Sequence, residues 1–302
     1  MTTRFGTISL THAPFEELVA RFRWFEALGF DTAWVDDDLI RPGISDYEAW
    51  TTLGALARET SRIRIGTLVS TIAFRHPTFL AAQAVTVDHL SGGRVSVGLG
   101  SGACCPEFNT LVGHGEWSSV ERADRLQEQV VILSALLKGE PIEHAGPYYP
   151  TVVPAMPQPV QRPRPPLVLA AHGPRGLRLA ARHADGWNCF GGQSYGGPDR
   201  RFAEAVEETR RLLDGLEAAC AEAGRDPATI TRSILAFAVR PDPLSSLDWF
   251  DEYVGAYAAL GIDEVTFFWP PFFHPEHEPV PRATAAMFER IAAERIASRS
   301  AP

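Results

Sequence analysis

The sequence lacks the charge pattern of a protein that binds polyanions. Its 302 residues contain 28 Lys and Arg against 37 Asp and Glu, which gives a formal net charge of −9, and no basic run stands out. A surface for nucleic acid or for an anionic membrane needs a basic patch, so neither partner is expected. We expect the partner to be a small organic molecule.

Long apolar runs and paired cysteines are also missing. The N-terminal stretch MTTRFGTISL has no apolar core of a signal peptide, and no run reaches the roughly 20 apolar residues of a membrane-spanning helix. The four cysteines (Cys104, Cys105, Cys189, Cys220) are too few for a disulfide scaffold and form no C-x-x-C pair for zinc. These absences predict a cytoplasmic protein with reduced thiols and no bound metal.

The sequence does contain a regular alternation of two patterns. Short β-branched or apolar runs alternate with longer helical patterns, as expected for βαβ units in a parallel sheet. The eight predicted strands are 4–10, 31–36, 63–69, 94–99, 166–170, 185–190, 231–238 and 263–269. An open doubly wound sheet is the alternative, but the G-x-G-x-x-G turn that often follows its first strand is absent. Eight units favour a closed (β/α)8 TIM barrel.

The length allows either two average domains or one barrel. Residues 141–166 contain nine prolines and show no periodicity. We interpret this stretch as an ordered surface excursion inserted before strand five, not as a linker between domains. The prediction is a single domain over residues 1–302.

The candidate chemistry lies where the strands of such a barrel end, because active sites of TIM barrels form at that face. Strand five leads through His172, Gly173 and Pro174 straight into a predicted helix. Free backbone N–H groups at a helix start can hold a phosphate, although a tight turn without a ligand has the same sequence.

Two further segments at strand ends carry signals. Three adjacent aspartates at 36–38 would repel one another if all were buried and ionised. Either at least one pairs with a donor, is hydrated or has a raised pKa, or the run is a solvated loop. The Gly98-x-Gly100-x-Gly102 turn lets a flat ligand approach the backbone, and we interpret Cys104 and Cys105 after it as packing residues.

Four blocks of sequence carry a family resemblance. They are LGFDTAWVDD at 28–37, ARETSRIRIGTLVSTIAFRHP at 57–77, QAVTVDHLSGGRVSVGLGSG at 83–102 and PPLVLAAHGPRGLRLAARHADGWN at 165–188. Together they resemble the luciferase-like monooxygenase superfamily, which includes bacterial luciferase, alkanesulfonate monooxygenase and deazaflavin-dependent dehydrogenases and reductases. The resemblance spans nearly the whole chain and implies a barrel oxidoreductase that binds a flavin or a deazaflavin.

The resemblance also implies where the cofactor lies, with its ring over the barrel mouth. Its phosphate is implied to lie near His172, Gly173, Arg175 and Gly176. Further cofactor contacts are implied for Asp37, Thr71, Ser101 and Gly102. A non-prolyl cis peptide often ends strand three in this family, and here it would join Leu68 and Val69.

This chain departs from the family's sugar-phosphate dehydrogenases at two positions. Asp38 stands where those enzymes have a histidine, and Ala103 stands where they have an acid after the glycine-rich turn. Without that acid/base pair, oxidation of a sugar phosphate is not expected.

Three functions follow from these residues and the resemblance. The leading hypothesis is a monooxygenase that uses reduced FMN and oxygen, with His12, Asp38 and Arg240 as the catalytic residues that orient the substrate. The second is a hydride-transfer reductase or dehydrogenase that uses the deazaflavin coenzyme F420. The third, suggested by Asp38 and Ala103, is a non-catalytic flavin-binding barrel.

Partners and substrate are less constrained by the sequence. Family members often form homodimers, and the aromatic segments Trp24–Phe25 and Trp249–Tyr257 could contribute, although core packing explains them equally well. An FMN monooxygenase would also need a separate flavin reductase. The loops that shape the substrate pocket, 103–117, 141–165, 190–199 and 270–280, carry no specific signature.

Overall fold

The fold is described from a computed structural model. It describes residues 3–38, 40–41, 44–102, 107–190, 200–236, 239–269 and 285–297. The loop residues Ala103, Cys104 and Cys105 and most of the loops at 190–199 and 270–280 lie outside this set.

Eight parallel strands form the centre of the molecule. They are β1 (Arg4–Ser9), β2 (Thr32–Val35), β3 (Arg64–Thr71), β4 (Val95–Gly100), β5 (Leu167–Ala170), β6 (Gly186–Cys189), β7 (Thr231–Ala236) and β8 (Glu264–Trp269). They close into a barrel in the order β1-β8-β7-β6-β5-β4-β3-β2. The predicted TIM barrel is confirmed, and every predicted strand overlaps an observed one.

Each strand is followed along the chain by a helix of the same number. The helices are α1 (Phe15–Ala27), α2 (Ala49–Glu59), α3 (Pro77–Ser91), α4 (Ser119–Leu136), α5 (Pro174–His183), α6 (Phe202–Ala223), α7 (Leu247–Ala259) and α8 (Ala285–Ile291). A short helix, Glu107–Leu111, precedes α4, a 3-10 turn, Pro227–Thr229, precedes β7, and α8 continues as a π-helical turn, Ala292–Ile296. Within the described residues, no helix has the length and apolar composition to span a membrane.

The helix boundaries follow from local chemistry. A side-chain cap starts α4, where the Ser118 hydroxyl accepts from the backbone N–H of Glu121 at 3.1 Å. His76 caps α3 through Nδ1, which accepts from the N–H of Thr78 at 3.3 Å. Gly92 ends α3 with a φ of 67°, a left-handed conformation that favours glycine.

Side chains alternate between the two faces of the barrel sheet. The outward faces pack with the helices in one large apolar cluster, which includes the fully buried Phe25, Tyr253 and Tyr257. Core packing therefore accounts for these members of the two aromatic segments. A smaller inner cluster fills the barrel and consists of Ile8, Trp34, Leu68 and Leu235.

The proline-rich excursion is fastened to the outside of the barrel. It contains an antiparallel pair of short strands, Ile142–His144 with Thr151–Val153. The Glu128 carboxylate on α4 accepts from the N–H of Tyr149 at 2.9 Å, and the Asp88 carboxylate on α3 accepts from the N–H of Val160 at 2.6 Å. These bonds attach the excursion to α3 and α4.

A buried carboxylate lies at the N-terminal end of the barrel interior. Glu264 is 5% exposed and accepts hydrogen bonds from the Thr32 hydroxyl at 3.2 Å and from Nε1 of Trp34 at 3.4 Å. Burial raises the pKa of Glu264, while the nearby guanidinium of Arg4 opposes the shift. A cavity of about 260 Å³ opens beside it, lined also by Arg64 and Ser96.

Glu264→Gln is expected to flatten the pH dependence of stability. Because the pKa of Glu264 is higher in the folded protein than in the unfolded chain, the folded state binds more protons in the interval between the two values. The stabilisation that Glu264 contributes is complete when the pH is below its pKa in the unfolded chain. It is lost as the pH rises through the pKa of Glu264 in the folded protein. The stability of Glu264→Gln relative to wild type should rise by up to about 1.4 kcal/mol per pH unit there.

Urea unfolding at several pH values measures this difference. Glu217→Gln, which removes a half-exposed carboxylate paired with Arg232, is the control for the loss of one surface charge. A Glu264→Gln slope equal to that of wild type would contradict the raised pKa.

Candidate active site

The barrel brings the candidate residues to one rim. Those implied to contact the cofactor lie on or after the consecutive strands β2, β3, β4 and β5. They are Asp37, Leu68, Val69, Thr71, Ser101, Gly102, His172, Gly173, Arg175 and Gly176. His12, Asp38 and Arg240 follow β1, β2 and β7. The two groups therefore occupy largely different arcs of the rim.

Asp37 lies in a buried ion pair with Arg75. Nη2 of Arg75 donates to Oδ1 of Asp37 at 2.8 Å, and Nη1 donates to Oδ2. Burial raises the pKa of Asp37, and the guanidinium of Arg75 opposes that shift. One aspartate of the run thus has a cationic partner and a raised pKa, in agreement with the prediction. The carboxylate implied to contact the cofactor is thus already bound by Arg75.

Arg75 also holds a second carboxylate. Its Nη2 donates to Oε1 of Glu48, whose carboxylate caps α2 by accepting from the N–H of Thr51 at 2.6 Å. Burial disfavours the charged form of Arg75, but the two carboxylates outweigh it and raise its pKa. Arg75 therefore remains a guanidinium that joins two acidic groups.

The β3 strand has an irregularity at the mouth. Its register against β4 shifts between Thr67 and Ser70, and the Leu68–Val69 peptide bond is cis, as the resemblance implies. Leu68 belongs to the inner cluster and Val69 packs against it. Both residues of this bond thus contribute to the apolar floor of the mouth.

The β4 strand presents glycine to this irregularity. A Cβ on Gly98 would lie 2.0 Å from the carbonyl oxygen of Thr67, and a Cβ on Gly100 would lie 2.5 Å from Cγ2 of Val69. Beyond the strand, Gly102 has a φ of +67°, and a Cβ there would lie 2.6 Å from Oγ1 of Thr71. The backbone of β4 therefore approaches β3 closely, and two residues implied to contact the cofactor, Thr71 and Gly102, are adjacent.

The start of α5 is an open helix N-terminus. Gly173 is its N-cap, makes no side-chain cap and has no atom within 4 Å of a built Cβ. The His172 ring packs against Phe190 with centroids 4.3 Å apart. The N–H groups of the first turn and the positive end of the helix dipole suit a phosphate.

The other two residues implied at the phosphate have structural partners. A Cβ on Gly176 would lie 2.9 Å from Cβ of Ala171, so glycine here lets α5 pack closely on the sheet. The guanidinium of Arg175 is ion-paired with Asp124 on α4. Any role of Gly176 at a phosphate falls to its N–H group.

The three residues predicted to orient the substrate differ in their surroundings. The His12 side chain is 33% exposed, and its Nδ1 lies 3.7 Å from Oδ1 of the buried Asp46. Asp38 is half-buried after β2. Arg240 is exposed in a two-residue parallel pairing, Val239–Arg240 with Arg200–Arg201. His12 and Asp38 follow adjacent strands, and β8 separates Arg240 from them.

The sequence reasoning missed Arg75, Glu48 and Asp46. Their partners lie on other loops, so no local spacing points to them. The one available signal was the aspartate run itself, for which a donor partner was one of several alternatives. Within the described part of the chain, no three His, Cys, Asp or Glu side chains group as a metal site.

The chain was compared with known families. The model of the luciferase-like monooxygenase family matches residues 1–300. The chain belongs to this family. The resemblance seen in the sequence is thereby confirmed.

Curated relatives of this luciferase-like protein cover part of its length. An F420-dependent hydroxymycolic acid dehydrogenase from Mycobacterium tuberculosis is 33% identical over 78% of the chain. A phthiodiolone/phenolphthiodiolone dimycocerosates ketoreductase from Mycobacterium bovis is 32% identical over 72%, and an F420-dependent glucose-6-phosphate dehydrogenase from Microbacterium testaceum is 32% identical over 66%. The chain spans only 54–62% of the lengths of these relatives.

Solved structures of other proteins show the same fold. A coenzyme F420-dependent tetrahydromethanopterin reductase from Methanopyrus kandleri has a TM-score of 0.76 at 17% identity, with 99% of each chain covered. The monooxygenase RslO1 from Streptomyces bottropensis has a TM-score of 0.74 at 21% identity, covering 99% of this chain and all of that one. At these identities the likeness establishes the fold alone.

Proposed function

We propose that the protein is an oxidoreductase that uses the deazaflavin coenzyme F420 to interconvert an alcohol and a carbonyl compound by hydride transfer. The observation that carries the proposal is the set of named curated relatives above. Two are called F420-dependent dehydrogenases and one is called a ketoreductase. This evidence favours the deazaflavin alternative over the leading sequence hypothesis of an FMN monooxygenase.

The residues at the rim fit such a cofactor. The start of α5 offers the N–H groups of its first turn for a phosphate, beside the open position of Gly173. Glycine at 98 and 100 adds no side chain from β4 and lets β4 lie close to β3 at the mouth. Leu68 and Val69 supply an apolar floor. A flat ring would rest on this floor, with the helix start beside it to hold the charged part.

A bound deazaflavin accepts or donates the hydride. The protein must then move a proton, because oxidation of an alcohol also removes the proton from its oxygen, and reduction of a carbonyl returns it. His12 is our candidate for this step. Its Nδ1 side lies toward the buried Asp46, which leaves Nε2 to exchange a proton with the substrate oxygen.

The substrate class follows from this chemistry. The reaction needs a carbon that bears both a hydrogen and a hydroxyl group, or the corresponding ketone or aldehyde. Asp38 replaces the histidine of the sugar-phosphate enzymes, so a substrate without a phosphate is proposed.

Reconstitution with the two cofactors tests the proposal. Coenzyme F420 should bind with a Kd at least about 100-fold below that of reduced FMN, a difference of roughly 2.7 kcal/mol. A panel of secondary alcohols and ketones should then give oxidation or reduction of the deazaflavin, followed by its absorbance. Tight binding of reduced FMN with substrate-dependent oxygen uptake would establish the monooxygenase instead. Binding of F420 without turnover on any substrate would favour the non-catalytic barrel.

A further inference from the structure

Arg75 lies where two loops of the barrel mouth meet. It is in the loop between β3 and α3, and its partners Asp37 and Glu48 are the two ends of the loop between β2 and α2. Its side chain is 9% exposed. One guanidinium thus fastens both ends of a neighbouring loop.

The backbone that carries Arg75 is itself held. Nε2 of Gln129, on α4, donates to the carbonyl oxygens of Ile72 at 3.1 Å and of Arg75 at 3.2 Å. The hydroxyl of Tyr149, in the proline-rich excursion, donates to the same Ile72 carbonyl at 3.4 Å. The guanidinium therefore projects from a fixed support.

The loop fastened by Arg75 carries residues of the candidate site. Asp38 directly follows Asp37, and Asp46 lies two residues before Glu48. Asp46 contacts both His12, at 3.7 Å, and the hydroxyl of Thr11, at 3.5 Å. A shift of either end of the loop would displace the groups around His12.

We propose that Arg75 is a positioning residue of the mouth, which holds Asp37 and Glu48, and with them the neighbouring Asp38 and Asp46, in place for cofactor and substrate. This inference rests on the proposed function, since it assigns Arg75 to the same site. The guanidinium suits the task because its planar fork binds Asp37 through two parallel bonds and still reaches Glu48. A lysine ammonium is a single point charge and could not hold both ends equally well.

The electrostatics point the same way. Without Arg75, the buried Asp37 would lose its counter-charge, and an unpaired buried carboxylate must be protonated or move toward water. Either response would move the segment next to Asp38. Loss of the Arg75 guanidinium should therefore change the shape of the mouth as well as lower the stability.

Arg75→Met, Arg75→Lys and a matched control separate positioning from general stability. The control is Arg164→Met, because Arg164 is 8% exposed and its Nε lies 3.0 Å from Oδ2 of Asp185 at the opposite end of the barrel. Both Met variants remove a buried guanidinium that is ion-paired, and both should lower Tm. Of these two variants, only Arg75→Met should also weaken cofactor binding, by about tenfold or more. The cofactor affinity of Arg75→Lys should lie between those of Arg75→Met and wild type.

Two measurements test the positioning role of Arg75. Fluorescence titration with coenzyme F420 and, in parallel, with reduced FMN gives Kd for each variant. Hydrogen exchange of the Trp50 and Thr51 amides, which donate to Glu48, should accelerate in Arg75→Met and stay at the wild-type rate in Arg164→Met. If Arg75→Met does not fold, Arg75→Lys against Arg164→Lys gives the same comparison.

The outcomes distinguish the two proposals. Unchanged Kd in the Arg75 variants, or an equal loss in the Arg164 variants, would overturn the positioning role. If wild type binds only reduced FMN, the proposed function fails, but the ratio of Kd values measured with FMN still tests Arg75. A selective loss of cofactor affinity together with faster exchange at Trp50 and Thr51 supports the inference.

Discussion

Gly173→Asp is expected to weaken cofactor binding while the fold keeps or gains stability. Gly173 is the N-cap of α5 with extended φ and ψ of −89° and 159°, and a Cβ there meets no atom within 4 Å. Aspartate is among the preferred N-cap residues, since its carboxylate accepts from the free N–H groups of the first turn. Those are the groups that a cofactor phosphate would use, and the added negative charge would repel it.

The size of the effect follows from the bonds that are lost. Charge-assisted hydrogen bonds contribute about 1.5–3 kcal/mol, so the Kd of the cofactor should rise by about 10- to 100-fold or more. Tm should stay level or rise. Fluorescence titration and thermal unfolding of the same samples measure both quantities.

Gly173→Asn is the matched control because it has the same shape without the charge. Its effect on cofactor affinity should be clearly smaller than that of Gly173→Asp. If Gly173→Asp binds the cofactor as tightly as wild type, the phosphate does not lie at the start of α5, and the implied cofactor position is wrong.

Gly98→Ala should cause the largest loss of stability among the changes considered. The added methyl group would lie 2.0 Å from the carbonyl oxygen of Thr67, which is backbone and cannot rotate away. The β3 and β4 strands would have to separate at the register shift, where the Thr67 hydroxyl donates to the carbonyl of Gly98 at 3.0 Å. We expect a loss of about 3–5 kcal/mol, which lowers Tm by about 5–8 °C in a chain of this length.

Gly255→Ala provides a control of opposite sign. Gly255 lies inside α7, and a Cβ there would meet no atom within 4 Å. Alanine in an exposed helix interior is favoured over glycine by about 0.5–1 kcal/mol, so this variant should be slightly more stable. A Gly98→Ala protein with the Tm of wild type would show that β3 and β4 tolerate a wider spacing than the structure has.

Much of the fold was predictable because it rests on local rules. The alternation of strand and helix patterns located all eight barrel strands, and Pro174 marked the start of a helix. Each of these signals depends on residues within a few positions of one another. The short strand pairs inside the loops were not predicted, since two or three residues carry too little periodicity.

The candidate site was predictable only in outline. The aspartate run indicated that one acid needs a partner, but Arg75 lies 38 residues from Asp37 and meets it only once β2 and β3 are neighbours. The same holds for His12 and Asp46, which belong to loops after different strands. Such pairings depend on side-chain rotamers and on the barrel order, neither of which a single sequence pattern specifies.

Trp34 divides the barrel interior into two compartments. Its ring packs with Ile8, Leu68 and Leu235 beneath the mouth, while its Nε1 donates downward to the carboxylate of Glu264. Substitutions on the Glu264 side of the indole change polar residues that a ligand at the rim does not reach. Substitutions on the mouth side change the surface that a ligand would contact. The stability of this protein and its ligand preference can therefore be engineered, or can evolve, separately.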